Sequence, residues 1–435
     1  MDAPPATESA VAQGGERKRR SLLRVLGPGL ITGASDDDPS GIATYSQVGA
    51  QFGFAMLWTA LFTYPLMAAI QEISGRLGRV TGRGIAGTLR RQYPRALLYP
   101  VVALLVIANT LNLGADIAAM GSAIQLVIGG PAFAYSLLLA LLSLGLQIWI
   151  PYDRYSRVLK WMTLSLFAYV ATVFVVHVPW LKALQNTVLP QFSWSSAYVT
   201  GLLAVLGTTI SPYLFFWQAS TEVEEMRATH HDRPLRMDPA HAGGQLERIH
   251  VDTFVGMAFS NVVAFFIILT VASTLHAAGK MEIQTAADAA EALRPLAGNF
   301  AFLLFTLGIV GTGMLAVPVL AGSAAYAVSE MMHWRTGLDL KLGEARRFYS
   351  VLAAATLIGL VLNLIGIDPI RALFWTAVIN GIVAGPVMIV MMHMASNPHV
   401  MGRLTIPRWL RWTGWLATVA MLAAAAGMFV TSGRT

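Results

Sequence analysis

The sequence predicts an all-α integral membrane protein of about eleven transmembrane helices, arranged as an inverted five-plus-five repeat whose first and sixth helices are broken. Three observations predict it. The 435-residue chain is 55% hydrophobic and only 12% charged, with a mean hydropathy of +0.59, whereas soluble domains carry about twice that charged fraction. The apolar residues come in long uninterrupted runs, and about 18 of them suffice to cross a hydrocarbon core as a helix. Two of these runs, five apart, are interrupted at their middles by residues that end helices.

In order, the apolar runs predict spans at 26–51 (interrupted), 54–76, 98–128, 131–150, 159–179, 196–226 (interrupted), 250–275, 299–330, 349–366, 370–395 and 409–430. Residues 1–24 are polar, small and then basic (Arg17, Lys18, Arg19, Arg20), and read as a disordered cytoplasmic tail without a cleavable signal. Residues 25–432 read as one transmembrane domain, with repeat one at about 25–180, repeat two at about 196–396 and an added helix at 409–430.

The basic residues test this count. With the N-terminus inside and eleven alternating spans, 25 of the 30 Lys and Arg fall in inside segments. The exceptions are Lys182, Lys280, Arg294, Arg371 and Arg434. An error of one helix would scramble that asymmetry, so the positive-inside rule supports both count and orientation. A cell-membrane location with the C-terminus outside follows. The net charge of +7 sits in short loops between apolar runs and does not indicate a nucleic-acid partner. Cysteine is absent, which excludes disulfides, thiolate metal sites and cysteine redox chemistry.

The first span reads GPGLITGASDDDPSGIATYSQVGA, with three carboxylates, a proline and a glycine at its middle. Pro39 has no backbone donor and disfavours helix at the residue before it, which puts the break at Asp38. The sixth reads GLLAVLGTTISPYLFFWQAS, with Thr208, Thr209, Ser211 and Pro212 at its middle. In an inverted repeat the two breaks meet near the midplane and turn helix ends and carbonyls toward a substrate. Freed backbone is tolerated there only where it lines a cavity or is buried in protein. These features imply a transporter. Asp36, Asp37 and Asp38 lie too deep for a membrane surface, and each costs several kcal/mol there unless paired or solvated. The functional reading is that one carboxylate at the break receives a cation while a neighbour turns elsewhere.

These motifs resemble the Nramp family of divalent-metal transporters over essentially the whole chain, from about Leu26 to Val430. Family members carry Asp-Pro-Gly-Asn in the first span; here it is Asp38-Pro39-Ser40-Gly41, followed by Ile42-Ala43-Thr44-Tyr45-Ser46-Gln47-Val48-Gly49. Gly27-Pro28-Gly29 and the stretch Gly75 to Gly82 match as well. The family's sixth-span Gly-Ala-Thr-Val-Met-Pro-His corresponds to Gly207-Thr208-Thr209-Ile210-Ser211-Pro212-Tyr213. The resemblance implies a LeuT-like fold, no cofactor, and a transported divalent ion as the ligand, with a monomer in the lipid bilayer as the acting unit.

The resemblance also implies the ligands: Asp38, with the Ser211 hydroxyl and the Thr208 carbonyl from the sixth span, and Asp37 as a candidate second carboxylate. Gly41, Gln47 and Asn380 are further candidates for coordination or gating, and Pro39 and Pro212 mark the breaks. The departures point to the ion. Asn becomes Gly41 and the sixth-span Met becomes Ser211, so sulfur gives way to oxygen, which suits hard ions such as Mg2+ and Mn2+. Mg2+ dehydrates reluctantly, and small side chains leave room for its waters. The pattern resembles the family's magnesium-transporting branch. Tyr213 and Ala119 stand where proton-coupled members carry His and an acidic residue, which leaves Asp116 as the one candidate ion relay, with a paired structural carboxylate as its other reading.

Asn112, Asn261 and Gln47 read first as helix-to-helix hydrogen-bonding groups. Glu222, Glu224 and Glu225 read as solvated residues beyond the sixth span. His230, His231 and His241 allow a cytoplasmic metal sensor as a minor reading. The rivals are a proton-coupled Mn2+ or Fe2+ importer and an amino-acid symporter of the same architecture. No span holds a nucleophile with a base or a His-rich zinc motif, so an enzyme is not expected.

Overall fold

The computed structural model describes residues 32, 33, 35–150, 154, 161–228 and 232–433. The basic tail, Gly27 to Gly29, His230, His231 and the first residues of the first and fifth spans lie outside the described residues. Among those residues the chain is helical, without strands, and nine helical stretches are long and apolar enough to cross a membrane. The difference from eleven has two sources. The second half of the first span and the second span run on as one stretch, Pro39–Thr81, and the fifth span leaves only the short apolar helix Leu164–Val173.

The first span breaks where proline chemistry predicts. Asp38 is extended (φ −68°, ψ 171°) and caps helix α1, Pro39–Phe52, whose first residue is Pro39. A side-chain oxygen at the N-cap and a proline at the first helical position satisfy and tolerate the orphan donors there. Helices α2 (Leu57–Thr81), α3 (Ile85–Gln92), α4 (Arg95–Ile128), α5 (Ala132–Trp149) and α6 (Phe167–Val173) complete the first half. A short helix α7, Trp180–Val188, leads to the sixth span. That span is split into α8 (Ser196–Thr209) and α9 (Pro212–Ala228), with Ile210 leaving helical geometry at φ −118°, ψ 60°. Helices α10 (Ala242–Val271), α11 (Ala301–Met332), α12 (Arg346–Leu362), α13 (Pro369–Ser396) and α14 (Arg408–Ser432) follow.

Burial orders these helices. The apolar window of Ser196–Ala228 is 94% buried and that of Ala132–Trp149 only 33%, so the broken sixth span runs through the middle and α5 stands at the periphery. Close approach relies on small residues, as in other membrane bundles. Gly207 on α8 lies against the Ala377 carbonyl and the Gly381 backbone of α13, and Gly78 on α2 against the Ala219 carbonyl of α9. Gly207→Ala is therefore expected to destabilise the protein by about 1–3 kcal/mol through overpacking, read as a lower melting temperature in detergent. Gly243→Ala, with nothing within 4 Å of the added methyl, serves as the neutral control. Equal melting temperatures for the two variants would mean that α8 and α13 separate freely at that contact.

Several predicted boundaries move. Helix α10 starts eight residues before the predicted 250, and α2 runs to Thr81 beyond the predicted 76. The apolar run marks the hydrocarbon, but a helix continues into polar sequence until a cap or turn stops it; Gly82, at φ 67°, stops α2. Helix α9 likewise extends to Ala228, two residues past the predicted 226.

Candidate ion-binding site at the helix breaks

Asp38 is the centre of the buried polar network. Its Oδ1 accepts from Ser40 Oγ (2.6 Å) and from the Gly41 N–H (2.7 Å). Its Oδ2 accepts from Asn112 Nδ2 on α4 (3.1 Å) and from the Tyr213 hydroxyl on α9 (3.2 Å). The carboxylate thus closes the start of α1 with one oxygen and reaches both the third and sixth spans with the other. Asn112 Nδ2 also donates to Asp116 Oδ2 (3.2 Å), and its Oδ1 accepts from Asn380 Nδ2 on α13 (3.1 Å). All seven residues are buried.

Four carboxylates, Asp36, Asp37, Asp38 and Asp116, lie within the protein at 2% exposure or less. Among the described residues none forms an ion pair. Uncompensated buried charge is costly, so this region favours any positive species that can enter it. Its carboxylates fall into two groups. Asp38 and Asp116 share Asn112, whereas Asp36 Oδ2 (2.6 Å) and Asp37 Oδ1 (3.0 Å) share Ser260 Oγ on α10. Asp37, the candidate second carboxylate, therefore turns to the seventh span, and Asp116 is the carboxylate that shares a partner with Asp38.

On the sixth span, the Ser211 hydroxyl donates to the carbonyls of Gly207 and Thr208, both at 2.8 Å. The expected free carbonyl of Thr208 is thus engaged by Ser211, with its second lone pair left over. The hydroxyl proton being committed, the Ser211 oxygen keeps its own lone pairs for another partner. Gly41 faces this break directly: a methyl there would meet Thr208 Oγ1 at 3.3 Å and the Asp36 carbonyl at 3.5 Å. The structure thus brings Gly41, Thr208 and the first-span break together.

Gln47 stands elsewhere. Nine residues after Asp38 on one helix is about 13 Å along the axis. Its Oε1 accepts from the Ile283 N–H (3.0 Å), on the wall of a pocket of about 260 Å³ shared with Gln51, Glu282, Gln284, Arg371 and Trp375. At the opposite end an ionic network ties the helices together. Glu222 is buried and binds Arg248 of α10 at 2.5 Å, and Glu225 joins at 3.1 Å. Glu72 on α2 binds Arg76 and His250, and Gln218 accepts from Thr32 Oγ1 at 2.6 Å.

The prediction of solvated glutamates after the sixth span is therefore wrong for Glu222, and for Glu224, which accepts from the Tyr326 hydroxyl and the Leu338 N–H. Their helix continues into the bundle, where basic and hydroxyl partners from distant segments meet them. His241 is exposed and pairs with Asp238. Among the described residues no group of three or more His, Cys, Asp or Glu is placed to hold a metal.

Sequence reasoning missed Asn112, Tyr213 and Ser260 as members of this centre. Asn112 precedes Asp116 by one turn, the spacing that puts two residues on one helix face, and that was the available signal. Asn261 does bond helix to helix, to the Ala60 carbonyl at 2.7 Å, as expected of it.

Comparison with known proteins places this geometry. The chain is 27% identical to a protein of Klebsiella pneumoniae (strain 342) named divalent metal cation transporter MntH, over 98% of each chain. It is 26% identical to the protein of the same name from Pectobacterium carotovorum, over 93% of each. Neither is named as an enzyme. Its structure resembles the crystal structure of the Eremococcus coleocola manganese transporter, with TM-score 0.75 at 15% identity, covering 96% of this chain and 87% of that one. It also resembles Mhp1, a nucleobase-cation-symport-1 family transporter, with TM-score 0.57 at 11% identity over 94% and 93%. These likenesses show the LeuT-like arrangement of two inverted five-helix halves. The sequence pattern described as natural resistance-associated macrophage protein-like matches residues 29–431, and the chain belongs to this Nramp family.

Proposed function

We infer that this protein carries divalent cations into the cytoplasm by alternating access, favouring hard ions, with Mg2+ first and Mn2+ second, and without proton coupling. The observation that carries this reading is the break-to-break geometry. Asp38 caps one broken helix, and Ser211 at the other break offers oxygen where sulfur would select softer metals. Gly41 lies close against Thr208, where an added methyl would meet Thr208 Oγ1 at 3.3 Å, so the two breaks approach each other at that point. Asp38 is the charged ligand, with Ser211 and the Thr208 carbonyl from the sixth span. The names of the relatives, divalent metal cation transporter and manganese transporter, support the cation class. Four buried carboxylates around the breaks argue against an anionic substrate such as an amino acid.

The distribution of Lys and Arg supports an N-terminus inside the cell membrane and a C-terminus outside. In that orientation the Glu222–Arg248 network lies at the cytoplasmic end and the pocket beside Gln47 at the outer end. The absence of coupling rests on Tyr213 and Ala119, two side chains that do not exchange protons near neutral pH. The test is metal influx into liposomes carrying the purified protein, with internal pH recorded at the same time. Mg2+ and Mn2+ entry with constant internal pH is the expected result. Acidification in fixed proportion to the metal entering would favour the proton-coupled Mn2+ or Fe2+ importer instead.

A further inference from the structure

Asn112 joins the carboxylates of the centre to the tenth span. It carries one amide on a buried helix face, and both polar atoms of that amide have partners. The nitrogen donates to Asp38 Oδ2 and Asp116 Oδ2 at 3.1 and 3.2 Å, and the oxygen accepts from Asn380 Nδ2 at 3.1 Å. An amide nitrogen has two hydrogens, so both are committed to carboxylates. This arrangement suits an ion-free centre. It opposes a loaded one, because a cation held by Asp38 and Asp116 needs oxygen at that place and would meet N–H instead.

A half-turn of the amide exchanges its oxygen and nitrogen with little change of shape. If Asn112 turned alone, its nitrogen would face the nitrogen of Asn380, donor against donor. Asn380 is free to turn with it. Its own Oδ1 is buried and has no hydrogen-bond partner, so nothing on its far side holds it in its present sense. Asp116 Oδ1 is likewise buried without a partner and is available to an ion. Gly41, at the first break, has no side chain to supply an amide oxygen.

We propose that Asn112 and Asn380 form a paired amide switch that turns when a divalent cation enters, so that Asn112 Oδ1 joins Asp38 and Asp116 as a ligand while Asn380 Oδ1 accepts from Asn112. The proposal rests on the reading of Asp38 as the ion-binding carboxylate. It makes Asn112 a ligand supplied by α4, and Asn380 a positioning residue that acts through Asn112 rather than on the ion. It also links ion occupancy to α13, which packs on α1, α4 and α8, because the sense of the Asn380 amide differs between the empty and loaded centre.

The sign of one measurement separates this from a structural role. If Asn112 only donates to the carboxylates, removing it uncovers them, and cation binding becomes tighter or stays the same. If it turns and becomes a ligand, removing it weakens binding. Mg2+ binding to the purified full-length protein is measured by calorimetry for wild type, Asn112→Leu, Asn380→Leu and the double variant, with ion-free melting temperatures alongside. The switch predicts about tenfold weaker Mg2+ binding for Asn112→Leu, with the ion-free protein still folded. It predicts a smaller loss for Asn380→Leu, since the loaded Asn112 then has hydrogens without an acceptor, and no additional loss in the double variant.

Unchanged or tighter binding in Asn112→Leu overturns the switch, as do additive losses in the double variant. Should Asn112→Leu not fold, Asn380→Leu decides alone: undiminished Mg2+ affinity in that variant overturns the proposal. Failure of the wild type to bind either Mg2+ or Mn2+ would instead overturn the transport reading on which the switch rests.

Discussion

Asp38→Ala is expected to reduce divalent-cation uptake into liposomes to the level of protein-free vesicles, while the protein still folds and inserts. The expectation follows from position. Asp38 is the carboxylate at the break itself, and its two oxygens reach α1, α4 and α9 at once. The substitution removes the charged ligand, and each tenfold loss of affinity corresponds to about 1.4 kcal/mol. It also removes the cap of α1, a term of about 0.5–2 kcal/mol, so Asp38→Asn is the companion variant. Asparagine keeps an oxygen for the cap and loses the charge, and it should abolish uptake as well. Retained uptake in both variants would move the site to Asp36, Asp37 and Ser260.

Ser211→Met is expected to change selectivity rather than abolish transport. The wild-type hydroxyl donates to the Gly207 and Thr208 carbonyls, and its oxygen keeps its lone pairs. Methionine offers a thioether, which favours soft ions and is a poor substitute for water or hydroxyl around Mg2+. Cd2+ binding should rise about tenfold, near 1.4 kcal/mol, and Mg2+ transport should fall. Ser211→Thr, which keeps the hydroxyl, should resemble the wild type. If the wild type already binds Cd2+ tightly, or the Mg2+ to Cd2+ ratio does not move in Ser211→Met, then the sixth break presents a different face to the ion and Ser211 is not a ligand.

The parts of this protein that sequence made legible are those with local causes. Pro39 places the first break at Asp38 and Pro212 marks the second, because proline acts on its own backbone and on its neighbour's. The apolar runs gave the helices, nine of them long and apolar enough to span among the described residues. What stayed hidden depends on partners distant in sequence. Glu222 looks like a solvated residue until Arg248 is placed beside it, and only packing of α9 on α10 does that. An asparagine within a span is most often a bond between helices, and Asn112 is that too. Its partners, however, are Asp38, 74 residues earlier, and Asn380, 268 later, and no spacing rule reaches so far. Asp37 and Asp38 are adjacent in sequence yet face different helices, because both lie in the non-helical stretch between Asp36 and Pro39.

The claim that this centre handles hard cations through oxygen ligands has one direct measurement, the competition between Mg2+ and Mn2+. Initial Mn2+ uptake into liposomes carrying the wild-type protein is followed as external Mg2+ is raised. The account predicts that Mg2+ suppresses Mn2+ uptake progressively and completely, because both ions use Asp38 and neither meets a sulfur ligand. Mn2+ uptake that persists undiminished in a large excess of Mg2+ would contradict it, and would make this protein a transition-metal importer whose selectivity arises outside the two helix breaks.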